Sequence, residues 1–332
     1  MSKHTLSLLA WLTSVMVLLI VIVGETAVSH AEPTAIEPKQ YLPFVINPIT
    51  DPEWLQYVNQ FRELANLPTV SENSTYSAGA VLHSKYMVKN DEITHSEDSS
   101  NPWYTPEGAA AGDNGNVAVS SSSSASDEWA INLWMTGPFH AIGVLDPGLL
   151  EAGYGSYRES IGKWKTGATL DVLRGRGSIP AEVTFPIYFP GDGESYWLTN
   201  YGGNEWPDPL TSCPGYVSPS GPPLMIQLGS GSITPNITAS SFKSSSGDLE
   251  HCVYDETNYV NSGAYEQNLG RLILNSRDAI VMMPKNPLDV GETYTVSLTN
   301  DATVYSWSFS VVASTNLTAV PLETTQHLFE IR

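Results

Sequence analysis

The chain opens on a nearly uncharged apolar run from Thr5 to Val23, preceded by Lys3 and His4 and followed by a polar stretch ending in Ser29-His30-Ala31. A positive start, an apolar run and small residues one and three before a cut, in that order, predict an export signal removed before Glu32. The apolar run also approaches the ~18–20 residues that can cross a bilayer, so a retained membrane anchor is the alternative. The small-residue site and the lack of a basic flank after it favour cleavage. Both readings place the rest of the chain outside the cytoplasm.

Residues 32–50 are rich in Pro and Thr without a helical period and read as a linker. A helical period then begins. Asp51-Pro52-Glu53 supplies a cap, a first-turn proline and an acid near the positive helix end, and Trp54, Val58, Phe61 and Ala65 form one apolar stripe. A second helix is predicted from Ser77 to Asn90 and a third from Ser126 to Met135, the latter capped by Ser126. From residue 151 the period shifts towards two, with strands at Ala152–Tyr157, Ala168–Leu173 and Val183–Phe189. Helices followed by a small sheet predict an α+β layered domain over residues 51–193. Residues 194–222, dense in Gly, Pro, Asn and Ser, mark a boundary.

Beyond it the pattern predicts an all-β sandwich over residues 223–314. Its strands are expected at Leu224–Leu228, Leu249–Tyr254, Arg271–Leu274, Ala279–Met283, Glu292–Leu298 and Val304–Val312. Leu288-Asp-Val-Gly291-Glu-Thr-Tyr294 resembles the tyrosine corner of immunoglobulin-like domains, with a plain strand tyrosine as the alternative. Residues 315–332 read as a flexible polar tail.

A net charge of −20 argues against nucleic acid as a partner, because phosphate binding needs clustered Lys and Arg. The two cysteines, Cys213 and Cys252, cannot staple a scaffold, so the hydrophobic core must carry the fold. Outside the cell they are expected to pair with each other.

Candidate chemistry is sparse. His83 falls inside the second helix and His251 beside Cys252 on a strand; both read as structural. His95 and His140 lie in segments read as irregular, where site residues concentrate, although each alone fits a hydrogen-bonded structural role better than a ligand role. There is no His-Glu-x-x-His and no Gly-x-Ser-x-Gly, and Ser120–Ser124 reads as a flexible loop.

Several pieces in order carry a family resemblance. They are Val58-Asn59-Gln60-Phe61-Arg62, Ala80-Val-Leu-His83 through Met87, Ile93-Thr94-His95-Ser96, Ala111-Gly112-Asp113-Asn114, Trp134-Met135-Thr-Gly137-Pro-Phe-His140, Gly153-Tyr-Gly155 and Tyr188-Phe189-Pro190. Together they resemble the CAP superfamily of cysteine-rich secretory, antigen 5 and pathogenesis-related proteins, in its bacterial form. The resemblance implies an α-β-α sandwich around a central cavity, with His95, Asp113 and His140 as three members of the family's two-histidine, two-acid set. Such a set could hold Zn²⁺, which takes three or four ligands at about 2.0–2.2 Å. Asp113 stands where relatives carry a longer Glu, and Gly137 stands where they keep the second acid; Glu107 or Glu128 are the nearby substitutes.

The expected function is a secreted, non-enzymatic module binding a lipid, peptide or cell-envelope ligand. The alternatives are a metal-dependent hydrolase using His95, Asp113 and His140, and an adhesive surface protein presenting Trp197, Tyr201 and Trp206. Asn73, Asn236 and Asn316 begin glycosylation sequons, used only where the host has that machinery.

Overall fold

The amide and apolar patterns resolve into three sheets and six helices in the computed structural model, which describes residues 51–203, 205–314 and 328–330. The export segment, the 32–50 linker and Asn316 lie outside the described residues. Helix α1 (Glu53–Glu63) buries Trp54, Leu55, Val58 and Phe61; Pro52, rather than the expected Asp51, holds its N-cap position, without a side-chain bond. Helix α2 (Ser74–Asn90) starts three residues before Ser77 because the Asn73 side chain accepts the Thr75 and Tyr76 N–H groups.

Two short helices escape the periodic pattern: α3 (Pro106–Asp113), capped by the Thr105 side chain, and α5 (Pro138–Val144). Each opens on proline, and each is too short to display a repeating apolar face. Between them lies α4 (Asp127–Thr136), whose Ser126 cap accepts the Trp129 N–H at 3.2 Å. His140 therefore sits in a helix, not in the irregular segment expected.

The first sheet contains β1 (Ser71–Glu72), β2 (Gly115–Ser120), β3 (Glu151–Arg158) and β4 (Thr166–Asp171), in the order β1-β3-β4-β2. Its residues alternate between two faces. Ala118, Ala152, Tyr154, Ala168 and Leu170 join the core that contains α1, α4 and α5. Val117 and Val119 turn the other way, onto Met87 of α2. Helices thus cover both faces, an α-β-α layering. On the α2 side Gly153 and Gly155 are obligatory. A Cβ at Gly155 would lie 2.2 Å from the Val81 backbone nitrogen, so the strand touches the helix backbone directly.

The later strands do not separate cleanly from this body. They are β5 (Ile187–Phe189), β6 (Ser195–Tyr196), β7 (Glu205–Trp206), β8 (Leu224–Gln227), β9 (Ile237–Ser244), β10 (Gly247–Asp248) and β11 (His251–Tyr254). They continue with β12 (Ala279–Pro284), β13 (Thr293–Asn300), β14 (Thr303–Val311) and β15 (Leu328–Glu330). The orders are β11-β12-β8-β5 and β10-β9-β13-β14-β6. The strand expected to close the first domain, β5, pairs instead with β8 beyond the Gly/Pro-rich stretch. One apolar core runs from Trp54 to Val311. Leu328–Glu330, expected within a free tail, pairs with β2 and with β7.

The expectation of an all-β second half is corrected at Arg271–Leu274, which belongs to helix α6 (Ala264–Asn275). Arg-Leu-Ile-Leu reads locally as a strand, but Leu269, Gly270 and Leu274 make a buried helical stripe. Gly270 lets that stripe sit against the Tyr259 ring, where a Cβ would come within 2.5 Å. The Tyr294 hydroxyl accepts the Asp289 N–H at 2.8 Å. Two boundary aromatics turn inward: Tyr201 is buried, and Trp197 packs on Phe61 and donates to the Tyr57 hydroxyl at 3.1 Å; Trp206 is half-buried and stacks on the exposed Tyr265.

Cys213 and Cys252 form a disulfide spanning 39 residues, which ties the loop after β7 to β11. Closing a loop of that length stabilises the fold by about 4 kcal/mol in the chain-entropy account. A Cys213→Ser/Cys252→Ser double variant should lose that amount in urea unfolding. A loss below about 1 kcal/mol would show that the unfolded chain gains little freedom from the cut.

Candidate functional site

A cavity of about 200 Å³ opens between the first sheet, α5 and α6. His95, Asp113 and Asn116 contribute polar atoms, and Phe139, Ile142 and Val172 form a buried apolar floor. Leu272, Ile273 and Ser276 of α6 complete one wall, and Arg176 adds a guanidinium.

His95 lies in the loop after α2 and is buried, with Nδ1 2.8 Å from the Gly112 carbonyl oxygen. A carbonyl only accepts, so Nδ1 carries the proton and donates. Gly112 is needed for this approach, since a Cβ there would lie 2.3 Å from the His83 ring and 2.4 Å from the His95 carbonyl oxygen. Behind it, His83 braces the loop from inside α2. Its Nε2 donates to the Thr94 carbonyl at 2.7 Å, and its Nδ1 lies 3.0 Å from Glu97 Oε1. Glu97 Oε2 in turn accepts the Thr105 N–H at 3.0 Å, tying the loop to the start of α3. Asp113 ends α3 on the exposed rim of the cavity.

His140 is fully buried on α5. Its partner is Glu205, an acid that no motif pointed to. Glu205 Oε1 accepts the Phe139 N–H at 2.9 Å and the His140 N–H at 3.0 Å, and it lies 3.0 Å from His140 Nδ1. The first two are free amides at the start of α5, whose Gly137 cap has no side chain to satisfy them. Burial raises the Glu205 carboxyl well above its ordinary range, and the two amides only partly oppose that. Asn116 links α5 to the cavity, donating from Nδ2 to the His140 carbonyl at 3.3 Å.

His95 and Asp113 therefore share the cavity lining, while the His140 ring is engaged by Glu205. Among the described residues no group of three or more His, Cys, Asp and Glu side chains could hold a metal ion. The expected His95, Asp113 and His140 set is not among such groups in the described residues, and no step through a metal is derived. Glu107 sits in the first turn of α3 and Glu128 in that of α4, and neither joins the cavity lining.

Part of the chain matches a known family. Residues 55–164 match the model of the cysteine-rich secretory protein family, CAP. The chain carries a CAP domain. The match covers α1 to the loop before β4; Glu205 and the α6 wall lie outside it. No curated protein matches the chain.

Two residues of α1 brace the segment that follows it. Asn59 and Arg62, two ends of the first-helix motif, both clamp the following loop: Asn59 exchanges two bonds with Val70, and Arg62 Nε donates to the Pro68 carbonyl. Sequence reading missed Glu205, 65 residues from His140 in a Gly- and Pro-rich stretch, and Arg176. Neither lies in a recurrent spacing, so only the folded chain brings Glu205 to His140 and Arg176 to the cavity.

Proposed function

We propose that this CAP-domain chain is a secreted, non-enzymatic module that binds a small extracellular ligand in the cavity. The observation that carries the reading is the cavity itself: an apolar floor with a few convergent polar groups. The export-type N-terminus and the Cys213–Cys252 disulfide support an oxidising, extracellular setting.

The test is a thermal-shift screen of small organic molecules and short peptides on the mature chain, followed by calorimetric titration of the hits. Saturable binding should weaken by about tenfold or more in His95→Ala, a loss of about 1.4 kcal/mol. His140→Ala should weaken the same hits indirectly, by loosening α5 beneath the floor. Hits whose affinity is unchanged in both variants would overturn the cavity as the binding site.

A further inference from the structure

Three arginines gather around one aspartate beside the cavity, although the chain as a whole carries a net charge of −20. The Asp146 carboxylate is fully buried after α5. Its Oδ2 pairs with both Arg176, at 2.6 Å, and Arg277, while Oδ1 accepts the Gly148 N–H at 2.8 Å. Arg62 is a third neighbouring guanidinium, donating to the Asp146 carbonyl. Asp146 is thus one negative charge among three positive ones. Among the described residues Arg277 Nε is buried without a hydrogen-bond partner, and Arg176 has Asp146 as its only anionic partner.

Arg176 is the member of this cluster that lines the cavity, with its side chain 32 % exposed. Burial lowers its pKa, Asp146 opposes that in part, and Arg277 adds a smaller push downward. Asp113, the carboxylate in the lining, lies on the exposed rim, where water and salt screen it. The remaining surface is apolar: Phe139, Ile142 and Val172 beneath, and Leu272 and Ile273 of α6 beside the mouth.

We propose that the cavity takes a compact organic carboxylate, with its apolar body on Phe139, Ile142 and Val172 and its head group paired with Arg176. This rests on the cavity being the binding site, and it assigns the ligand class. A cavity of about 200 Å³ suits a single ring or short branched chain. Arg176 and the α6 wall both lie beyond the CAP match, so selectivity comes from the later part of the chain.

The experiment is calorimetric titration with 3-phenylpropanoate, 3-phenylpropanol, phenethylamine and acetate. 3-Phenylpropanoate should bind at least about tenfold more tightly than the alcohol or the amine, and acetate should not bind measurably. Arg176→Gln should abolish that preference while changing the alcohol's affinity by less than about threefold. If Arg176→Gln does not fold, Leu272→Asp, at a position 66 % exposed, places a repelling charge at the mouth and should produce the same selective loss. Equal binding of acid and alcohol would overturn the carboxylate assignment and leave the cavity standing as a site. So would a preference that survives both variants, or tighter binding of the amine. Binding of none of the four also overturns it, and the broader reading is then judged by the screen against His95→Ala.

Discussion

Replacing Glu205 with alanine is expected to destabilise the fold by about 3–5 kcal/mol in urea unfolding at neutral pH. The carboxyl oxygen Oε1 serves three groups at once: it accepts from the Phe139 and His140 amides and is hydrogen-bonded to the His140 ring. Removing it leaves all three buried, each costing about 1–3 kcal/mol when unsatisfied, with partial relief from local relaxation. Two of these amides open α5, so the damage should reach the cavity floor through Phe139 and Ile142. Glu205→Gln separates this role from charge, because its amide oxygen accepts the same two backbone N–H bonds.

The pH dependence follows from the direction of the Glu205 shift. Burial raises the folded-state value well above the ordinary 4.5, so the folded chain keeps a proton that the unfolded chain has already released. The stability tied to this proton is fully present below 4.5 and is lost as pH climbs from there through the raised folded value. One proton limits the slope to about 1.4 kcal/mol per pH unit. Glu205→Gln should flatten the profile over that window, and it should be at least as stable as the native chain at the upper end. A slope identical in the native chain and in Glu205→Gln would show that another group sets it.

The dependence on Glu205 also shows where sequence reading runs out. The three longer helices of the CAP region were legible because their apolar stripes recur over several turns and their caps, such as Ser126, are local. The sheet was legible at Ala152–Tyr157 and Ala168–Leu173 because one face packs on α1 and α4 and the other on α2. The short helices α3 and α5 were not, since seven or eight residues starting at a proline carry no period. Helix α6 was misread because the local β preference of Leu272-Ile-Leu274 yields to the packing of Leu269, Gly270 and Leu274. In the site, His95 and Asp113 could be placed by ordered motifs. Glu205, Arg176 and the α6 wall could not, because their proximity is created by packing between segments far apart in sequence.

The second large effect is expected at Arg62, which is fully buried at the end of α1. Its guanidinium donates to four carbonyls: Pro68 at 2.8 Å, Val144 at 2.7 Å, Asp146 at 2.9 Å and Leu149 at 3.2 Å. These bonds fasten the loop after α1 and the chain leaving α5 to one rigid fork, a geometry that a lysine ammonium cannot reproduce. Burial pushes the Arg62 pKa down to about 10, which Asp146 counters in part, so the group stays charged at neutral pH. Arg62→Met is close in length but leaves four carbonyls without their donor and Asp146 with one cation fewer. We expect a loss of about 3–5 kcal/mol, and Arg62→Lys should recover less than half of it. Hydrogen exchange would locate the damage, with the amides of α5 and of residues 145–150 losing protection first. A loss under about 1 kcal/mol in Arg62→Met would mean that these carbonyls find water or other donors, and that α5 is held by apolar packing alone.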